Sequence, residues 1–263
     1  MSVTQMPVNN KVYSALHPAL LSMVLLIFLT ETILVYISEA VGILLAVVSA
    51  VVIYALISIL NLSERTVNAI EDISLLLIYI LLVSVLPWFF FRQELLVPAI
   101  YSMVLALCFW RVRSRNLSLE SLGLAQLKIK DCPIGILLGI PMGVTEYFVL
   151  KPAAATPTFD IMYFLQTILY MLVFVGLGEE LLFRALIQKS VISVMGVIPG
   201  VFWSGLIFAI MHTVWRSVPE IFFTLGAGLL IGTLYQKTGR LIGPIFLHAT
   251  NNVLLLAVMP FLL

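Results

Sequence analysis

A helix needs about 20 consecutive apolar residues to cross the hydrocarbon core of a bilayer, and this chain offers such runs almost end to end. They lie near 13–36, 40–60, 73–91, 95–110, 133–150, 160–188, 198–215, 219–236 and 241–261. The fourth is short and follows the third after only Arg92, Gln93 and Glu94, so this pair reads as two spans or as one span with a re-entrant hairpin. The count is therefore eight or nine. Composition agrees, with 10% charged residues against about 25% in a soluble domain. The expected fold is all-α: a polytopic helical bundle with the membrane lipid bilayer as its solvent. A net charge of +1 gives no basic field of the kind that nucleic acid requires.

The polar segment Met1 to Lys11 precedes a run, Val12 to Ile37, that is too long for a signal-peptide core and reads as a retained first span. Arg111, Arg113, Arg115, Lys128 and Lys130 crowd the loop after the fourth run. Cytoplasmic loops carry the Lys/Arg excess. With nine spans, placing that loop inside also places Lys11, Arg65, Lys189, Lys237 and Arg240 inside and leaves Arg92, Lys151 and Arg216 outside. The N-terminus is then cytoplasmic and the C-terminus external. The same loop divides the chain into an accessory part, 1–132, and a functional core, 133–263. Lys151 to Pro157 is a second break, too rich in proline for a helix. Cys108 and Cys132 belong to no C-x-x-C pattern and read as ordinary thiols.

An ionisable group at membrane depth costs about 2.5–3.5 kcal/mol on insertion scales, and the last five runs hold several. In Glu179-Glu180-Leu181-Leu182-Phe183-Arg184, Glu180 and Arg184 are four apart, share a helix face and can pair. Glu179 is rotated about 100° away and keeps no partner on its own helix, which makes it the candidate general base. Read alone, the motif is equally a buried salt bridge at a helix end. Phe208 and His212 again stand at i and i+4, so the aromatic ring can pack on the imidazole and fix its orientation. A lone membrane histidine is more often one bonded to a nearby carbonyl. His248 and Asn252 repeat the spacing, and their shared face can ligate a metal or donate hydrogen bonds to an oxyanion. Read alone, that pair is polar glue between helices. Glu31, Glu39 and Glu146 have no complementary partner at i+4 and read as snorkelling or span-end groups, and His17 as interfacial. Gly226, Gly228 and Gly232 read as helix packing, Gly228 to Gly232 being G-x-x-x-G.

Taken together, E-E-x-x-x-R, F-x-x-x-H and H-x-x-x-N on successive membrane helices resemble the CPBP family of intramembrane proteases, which spans CAAX proteases, bacteriocin-processing enzymes and the type II CaaX prenyl endopeptidase. The resemblance covers roughly Pro133 to Leu263. It implies a membrane-embedded endopeptidase cleaving near the cytoplasmic face, with a lipidated or hydrophobic peptide or protein as substrate. It further implies that Glu179 and His212 activate the attacking water, that His248 and Asn252 stabilise the oxyanion, that Glu180 and Arg184 form a structural pair and that Phe208 supports the site. Two cofactor readings stand side by side. Glu179, His212 and His248 can ligate Zn2+ with an open water position, or glutamate and histidine can act without metal. No H-E-x-x-H is present.

At 1.5 Å per residue, Glu179 lies roughly 15 Å from a helix end near Ser190, His248 roughly 10 Å from Leu241 and His212 roughly 20 Å from Pro199. The first two depths agree and the third is deeper. The rival reading is a non-proteolytic protein on the same fold: a cation or proton transporter, or a scaffold or immunity protein. Transporters usually carry matching repeats, and none is visible here.

Overall fold

The computed structural model describes residues 17–84, 92, 95–125 and 128–262. Among the described residues nine helices are long and apolar enough to cross a membrane, and no strand is present. They are α1 (Pro18–Ile37), α2 (Glu39–Ile59), α3 (Glu64–Ser84), α4 (Leu96–Ser114), α5 (Asp131–Leu150), α6 (Ile161–Met195), α7 (Val197–Trp215), α8 (Val218–Thr238) and α9 (Ile242–Phe261). The chain is an integral, multi-pass, all-α membrane protein.

The boundaries follow local chemistry. Ser38 caps α2 by accepting from the Val41 N–H, Asp160 caps α6 through the Met162 and Tyr163 N–H groups, and Ser217 caps α8 through that of Glu220. Gly196, at φ +86°, makes the sharp break between α6 and α7, a backbone conformation that favours glycine. The third helix starts well before the apolar run at 73. Ser63 accepts from the Thr66 N–H at 3.2 Å, and a polar first half then enters the bundle. Residues 85–91, the far part of that run, lie outside the described residues. The fourth helix also runs past its apolar stretch, so Arg111 and Arg113 belong to α4 and not to the loop.

Two seams of small residues bring helices together. Gly135, Gly139 and Gly143 place α5 directly on the backbone of α9; a methyl group added at Gly143 would stand 2.6 Å from the Asn251 carbonyl oxygen. Gly205 and Gly228 do the same for α7 and α8, where an added methyl at Gly228 would meet the Gly205 Cα at 3.0 Å. Without water to drive apolar burial between helices, such close van der Waals contact is what holds spans together. Gln188, fully buried on α6, donates to the Gly232 carbonyl at 2.9 Å and accepts from Ser204 at 3.3 Å, tying three helices at one point. By contrast α2 turns Val41, Leu44, Val48 and Val51 outward, as a lipid-facing helix does.

A buried ion cluster joins the N-terminal helices to α6. Asp72 on α3 accepts from Arg111 Nε and Arg115 Nη1, both at 2.6 Å, and from the Ser190 hydroxyl on α6. Glu71 adds a second carboxylate, 2.7 Å from Arg111 Nη2. Those groups pair between helices, which spacing along one helix does not reveal. Cys108 and Cys132 are free thiols, as expected.

Candidate functional site

Glu179 and Glu180 sit at the middle of α6, in the short α-helical stretch Leu177–Glu180. It is flanked on both sides by wider π-helical turns, Tyr170–Gly176 and Leu181–Gln188. Such bulges re-aim side chains and recur at functional sites. Both carboxylates are buried, Glu180 fully. Glu180 Oε2 accepts from Arg184 Nε at 3.0 Å, which is the structural pair the spacing predicts. Its other oxygen, Oε1, accepts from His248 Nδ1 at 2.8 Å. That second bond was not legible in the sequence, because it joins α6 to α9. A carboxylate only accepts, so Nδ1 carries the hydrogen, and Nε2 of His248 can donate only when the ring is protonated.

Nε2 of His248 points toward Glu179, 3.7 Å from Oε2. That oxygen is buried and receives no hydrogen bond. Oε1 of Glu179 accepts from the Tyr101 hydroxyl on α4. Glu179 therefore has no partner on its own helix, as its position predicts, yet it has one from the accessory part.

Phe208 is the hub of the constellation. Its ring centroid lies 4.5 Å from that of His212, 5.8 Å from His248 and 5.1 Å from Phe183. The Arg184 guanidinium stands 4.9 Å from the same centroid. Arg184 is fully buried, and its two terminal nitrogens have no hydrogen-bond acceptor, so the ring face is what meets its remaining charge. His212 Nδ1 bonds the Phe208 carbonyl at 2.8 Å. The carbonyl accepts, so Nδ1 carries the proton and Nε2 keeps its lone pair.

A small cavity, with about 20 Å³ of room for water centres, lies among α5, α7, α8 and α9. That is space for about one water molecule. His212, His248 and Asn252 line it together with Phe208, Asn251 and Glu146. Asn252 accepts from Asn251 Nδ2 at 3.2 Å through its carbonyl oxygen, which leaves its amide nitrogen as the donating end. Glu179 is not part of this wall and meets it through His248. The described residues contain no hydrogen bond between Glu179 and His212.

His212 follows shortly after the last α-helical residue of α7, Ile210, and the Phe208 ring contacts the rings of both His212 and His248, which line one cavity.

Glu146 departs from its sequence reading. It is buried, accepts from Asn251 Nδ2, and lies near the Glu220 carboxyl group on α8. Glu220 is fully buried and receives no bond from any N–H or hydroxyl donor. Glu31 also turns inward, its Oε2 accepting from Thr213 at 3.4 Å, whereas Glu39 is exposed at the start of α2, as expected. None of these contacts follows i, i+4 spacing, so only the assembled bundle shows them.

The described residues hold no group of three or more His, Cys, Asp or Glu side chains placed to hold a metal ion. The set Glu179, His212 and His248 does not close on one point: Glu179 meets His248 but is not on the wall of the cavity that His248 shares with His212. A zinc site does not fit this arrangement, and no chemical step below runs through one.

No curated protein and no solved structure matches the chain. A family model does match over about a third of its length, and the matched stretch contains all three motifs. Residues 161–254 match the family described as Type II CAAX prenyl endopeptidase Rce1-like, the family that the motif series resembles.

Proposed function

We propose that this protein is an intramembrane endopeptidase whose site is formed by Glu179, His212, His248 and Asn252. The observation that carries the reading is the gathering of the three motifs around Phe208, beside a cavity with room for a water. Glu179 Oε2 is an acceptor with no bound donor, and His212 presents a free Nε2 lone pair. In the reaction His212 Nε2 orients the water held in the cavity, and Glu179, off the cavity wall in this structure, must come to face that water to take its proton as its oxygen attacks the peptide carbonyl. The carbonyl electrons move to oxygen, where the Asn252 amide and the protonated His248 ring donate to the oxyanion. Collapse breaks the C–N bond, and the stored proton passes to the leaving amine. Glu180 holds the His248 ring by Nδ1, and Arg184 holds Glu180.

The substrate is a lipidated or apolar peptide segment delivered through the bilayer, of which a prenylated CaaX sequence is one instance. Purified protein in detergent should cleave members of a fluorogenic panel of prenylated, unprenylated and apolar peptides, and Glu179→Ala should not. Chelator in parallel lanes asks whether activity needs a metal. Cleavage that survives Glu179→Ala would sink the assignment.

We also propose that the N-terminus and the 115–130 loop are cytoplasmic. Cys132, partly exposed beside that loop, gives a direct test, because Cys108 is buried. A membrane-impermeant maleimide should label inside-out vesicles and spare right-side-out ones; the reverse pattern inverts the topology.

One observation favours a second reading. The Glu146–Glu220 pair, with His212 nearby, resembles the buried carboxylate and histidine chains that carry protons or cations. Flux through liposomes by a protein that cleaves no peptide would support it.

A further inference from the structure

We propose that the N-terminal helices hold the reactive carboxylate in position: Tyr101 is a positioning residue for Glu179, and Tyr79 in turn positions Tyr101. The inference rests on Glu179 being the base, as proposed above, and explains what α3 and α4 contribute to the site.

The hydrogen-bond directions are fixed by counting protons. Each tyrosine hydroxyl has one hydrogen to donate. Tyr101 gives its hydrogen to Glu179 Oε1. The bond between the Tyr79 and Tyr101 hydroxyls, 3.1 Å long, must then be donated by Tyr79. The result is a directed chain, Tyr79 to Tyr101 to Glu179, running from α3 through α4 to α6. Both rings are braced, since they meet edge to face at 6.3 Å.

The α6 backbone is shaped to receive this chain. Gly178 immediately precedes Glu179, and a methyl group there would stand 3.2 Å from Tyr101 Cδ1. The bare glycine lets the Tyr101 ring lie against the helix at the turn that bears the carboxylate. A second anchor secures the same helices three turns along α6, where Ser190 donates to Asp72 and accepts from Arg115 Nη1 at 3.1 Å. With two attachments, α3 and α4 cannot slide along α6 without breaking one of them.

The consequence at the carboxylate is an asymmetry. Oε1 is tied, and Oε2, which no donor engages, is left facing His248 Nε2. A carboxylate free to rotate would present either oxygen and leave the reacting geometry to chance; a tied one presents Oε2 alone. Misplacement of a reacting group by about 1 Å is worth about 100-fold in rate.

The experiment joins two measurements. Tyr101→Phe keeps the ring on Gly178 and removes only the hydroxyl, so the protein should fold and insert, with an unfolding temperature lowered only modestly by the partners left unpaired. Cleavage should show kcat down by about 10–100-fold with KM within about twofold, whereas Tyr79→Phe, one bond removed, should lose less. Infrared difference spectra supply a readout that needs no substrate. A carboxyl band assigned to Glu179 by its loss in Glu179→Gln should shift in Tyr101→Phe. An unmoved band, or unchanged kcat in an active enzyme, overturns the positioning role. A wild-type protein that cleaves no peptide overturns the protease reading instead, and the band still decides whether Tyr101 holds Glu179.

Discussion

The first four helices and the last five use their polar residues in different ways. In α6, α7 and α9 the motif residues pair one turn apart: Glu180 with Arg184, Phe208 with His212, and His248 beside Asn252 on one cavity wall. In α3 and α4 the main polar contacts cross long stretches of chain. Arg111 reaches Asp72 over 39 residues, Tyr101 reaches Glu179 over 78, and Ser190 reaches Asp72 over 118. Short-range pairs set a side chain's direction on its own helix, whereas long-range pairs set where one helix stands against another. The N-terminal helices thus place the helix that bears the glutamates, and the C-terminal helices hold the groups of the proposed site.

The contrast can be broken at four points. The largest effect falls on the reacting groups. Glu179→Ala, His212→Ala and His248→Ala should each lower cleavage by about 10²–10⁴-fold while leaving membrane insertion unchanged. Cleavage near wild-type rate in any of them would remove that residue from the proposed chemistry. Next come the ion pairs. Arg184→Ala leaves the fully buried Glu180 without its cation and should cost about 3–5 kcal/mol, whereas Asp72→Ala leaves Arg111 with Glu71 and Arg115 with Ser190 and should cost less; both should show as lost yield and a lower unfolding temperature in detergent. A normal yield for Asp72→Ala, set against a collapsed Arg184→Ala, would mean that the two halves are not comparably anchored. The glycine seam is smaller: Gly143→Leu should cost about 1–3 kcal/mol by forcing α5 off α9. Smallest is Leu44→Ala on the outer face of α2, expected within about 0.5 kcal/mol of wild type. A larger loss there would reveal a contact that lipid does not provide.

The same distinction explains what the sequence made legible. Eight or nine spans were readable because hydropathy is a local property averaged over each helix. The start of α3 was not, because Glu64, Arg65, Asn68, Glu71 and Asp72 lower the local hydropathy of a segment in which Glu71 and Asp72 find their partners on other elements. In the site, Glu180–Arg184 and Phe208–His212 were readable from spacing. The bond from Glu180 to His248 was not, nor was the part played by Glu146, whose partners Asn251 and Glu220 stand on other helices. A carboxylate with no i+4 partner looks idle in one dimension. The available signal was its place: Glu146 lies four residues inside the end of an otherwise apolar span.

The glycine seams carry a mechanical consequence. Gly135, Gly139 and Gly143 fasten α5 to α9, and Gly205 with Gly228 fastens α7 to α8, in each case backbone against backbone. The cavity lies between these two fastened pairs, with Met142 of α5 on one side and Phe223 of α8 on the other. A helix pair in backbone contact moves as a single rigid jaw, because any relative slip drives main-chain atoms into one another. The two pairs are therefore rigid units that border the cavity through side chains, Met142 of one and Phe223 of the other among them, so a change at the cavity displaces a whole pair and not one helix.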